Sequence, residues 1–69
     1  MKRSILTNRE KEVFELLILK KSTKEIADKL KISEKTVRNH VSNTIQKLGV
    51  KGRSGAIVEL IKLGEITIN

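Results

Sequence analysis

No proline occurs anywhere in the chain, and its four glycines all lie at position 49 or beyond. The first two thirds therefore lack the two residues that most readily interrupt a helix. Start signals punctuate that stretch instead. "TNRE" places Thr7 as an N-cap with Glu10 three positions later, so that each side chain can cap the other's backbone N–H. "STKE" repeats the device with Ser22 and Glu25. Ser33 is a third N-cap, and Glu34 follows it at the positive end of the helix dipole. Gly49 and Gly64 supply C-terminal stops. The spacing predicts helices over about 8–20, 23–30, 34–48 and 53–63, an all-α, four-helix fold. The closing "EITIN" alternates but is too short for a strand without a partner.

The apolar residues say how these helices pack. Val13, Phe14, Leu16, Leu17 and Ile18 form a broad face, and Leu6 ahead of them is expected to pack on the core. Ile26, Ala27 and Leu30 form a narrow stripe, whose small Ala27 lets another helix cross close to the backbone. Val37, Val41, Ile45 and Leu48 make a single stripe. Ala56, Ile57, Val58, Leu60, Ile61 and Leu63 make the last helix apolar over much of its circumference. That is more than one four-helix core can cover, which points to a second chain. Residues 23–42 have the layout of a helix-turn-helix: a short helix, a turn "KIS" anchored by Ile32, and a longer helix of the kind that enters the major groove.

At 69 residues the chain is one domain. Lysine and arginine total 15 against 8 acidic residues, a formal net charge of +7. That excess points to a polyanionic partner, nucleic acid ahead of an anionic membrane surface; the plain alternative is a domain that is merely basic. Phe14 is the only aromatic residue. Single strands are usually held by stacking on aromatic platforms, so double-stranded DNA is the better fit. There is no cysteine, which rules out a disulfide, a thiolate nucleophile or a cysteine-based metal site and fits a cytoplasmic location. No apolar run is long enough to span a membrane, and the N-terminus lacks the apolar core of a signal peptide. His40 is the only histidine and Asp28 the only aspartate, too few for a hydrolytic triad or a zinc site. We expect no enzyme, metal or cofactor, and a packing or phosphate-contacting role for His40.

The third helix carries the chemistry. Between Glu34 and Glu59 there is no acidic residue, while Lys35, Arg38, Lys47, Lys51 and Arg53 fall in the gap. At about 100° per residue, an inward Val37 stripe puts Lys35, Asn39, Ser42, Asn43 and Gln46 opposite, Arg38 on one flank, and Thr36, His40 and Lys47 on the other. An ordinary solvated face would mix Glu and Lys at i, i+4 spacing. A carboxylate-free face of amides, hydroxyls and cations suits DNA instead, since Arg pairs with guanine and Asn or Gln with adenine in the major groove. Arg38, Asn39 and Ser42, in the first turns, are candidates for reading base edges. Thr36, Asn43 and Lys47, with Thr23, Lys24 and Arg53 from neighbouring segments, are candidates for phosphate, and Lys35 for either.

"LTNREKEVFELL", "STKEIADKLKISEKTVRNHVSNTIQKLGV" and "GRSGAIVELIKLGE" resemble, in order and spacing, the DNA-binding domain of the LuxR/FixJ (NarL) family over Leu6 to Glu65. The resemblance implies a tetrahelical helix-turn-helix domain that dimerises through its last helix and binds inverted half-sites near promoters. The family's two base-reading positions after the "TV" pair fall on Arg38 and Asn39, and a third on Ser42. The dimer seam is expected on Ile57, Leu60, Ile61 and Leu63. "VFELL", "TKEIA", "ISEKTVRNH" and "QKLGVKGRS" resemble a small stand-alone member, and that resemblance implies action late in sporulation on spore-coat genes, as activator and repressor. Family members often carry Gly near Lys21, and helix-turn-helix turns near Lys31; this chain has Lys at both. Gly55, in the first turn of the last helix, should weaken that helix. No receiver or autoinducer domain precedes the motif, so activity should follow abundance if Met1 is the true start. The alternatives are the output domain of a longer response regulator, and an interaction module that contacts RNA polymerase through the last helix.

Overall fold

The first three helices begin on the caps expected of them. The computed structural model describes residues 6–66, with α1 (Asn8–Ile18), α2 (Thr23–Leu30), α3 (Glu34–Leu48) and α4 (Arg53–Lys62) in that order. Both capping boxes are formed: Thr7 with Glu10, and Ser22 with Glu25. Ser33 caps α3 by accepting from the Thr36 amide at 3.0 Å. The described residues contain four helices and no strand.

The helices also end alike. After each, a residue in the left-handed region turns the chain: Lys20 (φ 64), Lys31 (φ 59), Gly49 (φ 67) and Gly64 (φ 73). The residue following each of them donates back to a carbonyl five positions earlier, Lys21 to Leu16, Ile32 to Ala27, Val50 to Ile45 and Glu65 to Leu60. These are Schellman-type closures, for which Gly is the usual left-handed residue. The turn at Lys20 explains why α1 stops at Ile18 rather than running to residue 20. The left-handed lysine before α2 is accordingly Lys20, not its neighbour Lys21. Gly64 likewise closes α4, which stops at Lys62, one residue short of the expected 63.

The four helices enclose one core, centred on Val13, Phe14, Ile26, Val37 and Leu60, all essentially inaccessible to solvent. Each large apolar side chain so buried contributes about 1.5–3 kcal/mol relative to exposure. Leu6 is buried as expected, and so is Ile66 at the other end of the described chain, where Gly64 turns the backbone home. Ala27 is buried, and Leu30 at the end of α2 and Ile32 in the turn pack against the core. α3 touches all three other helices, so its inner face is held from every side.

Two expectations need correction. Thr44 is fully buried on α3, whereas Ile45 and Leu48 are only partly so. Its hydroxyl donates to the His40 carbonyl at 2.9 Å, which satisfies the polar atom within its own helix and lets a threonine occupy a core position. Leu60, assigned above to a dimer seam, is 0% exposed within this one chain. Its side chain is spent on the chain's own core and cannot reach a partner.

Candidate nucleic-acid interface

The inner face of α3 is fixed by Val37, Val41 and Thr44 in the core, so its outer face has no choice of direction. Lys35, Arg38, Asn39, Ser42, Asn43 and Gln46 are all exposed, while Thr36 and His40 on the flank are half-buried. The three expected base-reading residues therefore share one open surface with Lys35. An α-helix is about 10–12 Å across with its side chains, and the major groove is about 12 Å wide, so a helix that stands clear on this side can enter.

Two details refine that surface. Arg38 lies 3.9 Å from the Glu34 carboxylate, one turn back, with both side chains about half exposed. The last acidic residue before the carboxylate-free stretch thus touches the first candidate base reader. An exposed pair of this kind is worth at most about 1 kcal/mol, so it does not lock Arg38 away from a base. Second, the Ser33 and Thr36 hydroxyls are 2.8 Å apart, which ties a candidate phosphate contact to the N-cap of α3.

The other candidates lie at helix starts. Thr23 and Lys24 open α2, Thr23 half-buried and Lys24 exposed. Arg53 is exposed at the first position of α4, whose N-cap Gly52 forms no side-chain cap bond. The first-turn N–H groups of α4 are thus left without a side-chain acceptor, and such groups favour anions.

Lys47 differs from the rest. Its ammonium donates to Oε1 of Glu10 at 2.6 Å, joining the last turn of α3 to the first turn of α1. The same oxygen accepts the Thr7 backbone N–H at 3.0 Å. Glu10 is only 3% exposed, and sequence reasoning gave it nothing beyond the capping box. Burial pushes its carboxyl up, but the hydrogen bond from Lys47 and those from Thr7, with the Lys47 charge, outweigh this and leave it below the usual glutamate value. One donor of the Lys47 ammonium is thus committed inside the fold, while its side chain stays 37% exposed. Periodicity carried no sign of a pair 37 positions apart. The hint was a lone acidic residue on the apolar side of α1.

Ile61 on α4 (37%) and Leu63 just after it (40%) are exposed, and so is Val58 (51%), an apolar residue of the last helix that the expected seam did not include. Ile57 packs partly on the core.

The chain matches the family model "Bacterial regulatory proteins, luxR family" over residues 4–60. The chain belongs to the luxR family. Among curated luxR relatives it is 67% identical over 64 residues to the spore germination protein GerE of Bacillus subtilis (strain 168), an alignment covering 93% of this chain and 86% of that one. It is 50% identical over 64 residues to the transcriptional regulatory protein DegU of Brevibacillus brevis, of which it spans 27%. Among solved structures, transcription factor GerE superposes with a TM-score of 0.95 at 66% identity, covering 97% of this chain and all of that one. The response regulator ChrA of a heme-sensing two-component system gives 0.83 at 36% identity, with 33% of that chain covered. As a luxR-family helix-turn-helix protein the chain is a DNA-binding transcription regulator, and its fold is the one shared by both solved relatives.

Proposed function

We propose that the chain binds duplex promoter DNA as a homodimer, with the outer face of α3 in the major groove of each half-site. Arg38, Asn39 and Ser42, with Lys35, read base edges. Thr23, Lys24, Thr36, Asn43, Arg53 and the remaining donors of Lys47 meet phosphates. Ile61 and Leu63, joined by Val58, form the seam with the second chain. The likeness to a spore germination protein over most of both chains supports a role in sporulation; the proposal places that role in a bacterial cytoplasm, on late genes that include those of the spore coat.

The observation that carries this reading is the outer face of α3. It is exposed along its length, and beyond the first helical position it holds amides, hydroxyls and cations but no carboxylate. Selection of bound sequences from a random duplex pool tests it. The expected result is an enriched motif repeated in inverted orientation, one copy per protomer. Retention that is equally strong on all sequences would reject the base-reading roles, and an enriched single site without symmetry would reject the dimer.

A further inference from the structure

Glu10 is an acidic residue buried beside a surface that the reading above turns toward DNA. A buried ion pair is weak evidence for stability, because desolvation offsets much of the attraction. The geometry suggests another use. Glu10 is held on both sides: its backbone N–H donates to the Thr7 hydroxyl at 3.2 Å, and Oε1 accepts the Thr7 N–H. It is a fixed acceptor, unable to follow a moving lysine. Lys47, whose side chain is 37% exposed, sits in the last turn of α3 on the flank it shares with Thr36. A lysine ammonium has three donors; the bond to Glu10 uses one and leaves the others for a ligand. A free lysine of this length loses rotamer freedom when it meets a phosphate. A lysine already tethered loses much less.

We propose that Glu10 is a positioning residue for DNA binding: it holds the Lys47 ammonium at the edge of α3, ordered in advance as a donor to a backbone phosphate. This rests on the docking of α3 proposed above. It makes a prediction of unusual sign. Removing a carboxylate from a DNA-binding protein normally tightens binding, because the protein becomes more positive. Removing this one should loosen it.

The test compares Glu10→Gln, Lys47→Gln, the double variant and a control, Glu12→Gln, in duplex-binding titrations over a range of salt. Gln serves at this position of a capping box, so the helix start is retained. Glu10→Gln is expected to weaken specific and random duplexes alike, by about 3- to 10-fold, the scale of one immobilised side chain. Its salt slope should stay unchanged, because Lys47 still neutralises its phosphate. Lys47→Gln should lose about one unit of slope, and Glu10→Gln added to it should cost nothing more. Glu12→Gln, on the exposed side of α1, should not weaken binding. If Glu10→Gln melts below the assay temperature, Glu10→Asp reads the same quantity, since it keeps the charge but falls short of Lys47. Tightening in either Glu10 variant, or equal loss with and without Lys47, overturns the positioning role while the docking of α3 stands. Failure of the unsubstituted chain to retain any duplex overturns both.

Discussion

A side chain placed on Gly55 would begin 3.3 Å from the Cβ of Val50, across the turn that leads into α4. Read from sequence alone, glycine in the first turn of a helix is a weakness, and alanine there should gain up to about 1 kcal/mol. The contact reverses that expectation. The obstructing atom is the Cβ itself, fixed to the backbone, so no rotamer change relieves it. Gly55→Ala should fail to raise stability and should lower it, by about 1 kcal/mol, the lower end of overpacking costs. Urea denaturation of the two proteins measures this. Val50→Ala should not rescue the variant, because it removes only the γ-carbons at 3.8 and 3.9 Å.

The two left-handed lysines store strain of the opposite kind. A β-carbon in that region costs about 1–2 kcal/mol, of which glycine gives back roughly 0.5–1 through its freer unfolded chain. Lys31→Gly should therefore stabilise the domain by roughly 0.5–1 kcal/mol, and Lys20→Gly by a similar amount, as read from denaturation midpoints. A loss of stability would mean that the lysine stems cover apolar surface whose burial exceeds the strain.

The helix-turn-helix, its caps and the open face of α3 were legible because each is written in residues close together in sequence. Thr7 and Glu10, or Val37 and Val41, announce themselves by spacing. What escaped depends on distant parts of the chain meeting. Lys47 on Glu10, and Val50 against Gly55, are tertiary facts. Leu60 and Ile61 are neighbours of the same chemical class, and only the packing says which faces inward. Thr44 was overlooked because residue type outweighed position: it lies three residues beyond Val41, squarely on the stripe, and its hydroxyl finds a partner within the helix.

That neighbouring pair separates core from seam. Leu60→Glu would bury a charge where no partner waits, and it should unfold the domain. Ile61→Glu places the charge on the exposed side of α4. It should leave the circular dichroism spectrum and melting temperature nearly unchanged. Sedimentation should show monomer, and affinity for a paired site should fall while a single half-site is bound as before. An Ile61→Glu protein that remains dimeric would move the seam off α4.

The depressed carboxyl of Glu10 sets an acid limit. A group whose value is lowered by folding adds stability above its unfolded value and loses it as pH falls through the folded one. Stability should hold from neutrality down to about pH 5 and decline below the ordinary glutamate value of 4.5. In Glu10→Gln that decline should be shallower, with stability at neutral pH lower by about 1–2 kcal/mol for the charged hydrogen bond lost. Thermal melts from pH 7 to pH 3 compare the two curves. Parallel curves would show that the acid loss comes from other carboxylates, of which Glu25, depressed by its bond to Ser22, is the next in line.

Arg38 and Glu34 put the base-reading assignment to its most direct test. If Arg38 makes a bidentate contact with a base, Arg38→Ala should lower affinity for the selected site by about 1–3 kcal/mol and relax choice at one position of each half-site. Binding to random duplex should change far less. Glu34 touches the same guanidinium at 3.9 Å, which raises the question of whether it steers Arg38 or only neighbours it. The pair is half exposed and weak, so Glu34→Gln should leave base preference intact. By removing a carboxylate close to the groove, it should tighten all duplexes slightly. A Glu34→Gln protein with altered preference at the Arg38 position would make Glu34 part of the reading apparatus. An Arg38→Ala protein that loses equally on selected and random DNA would assign Arg38 to phosphate and leave Asn39 and Ser42 to carry the specificity.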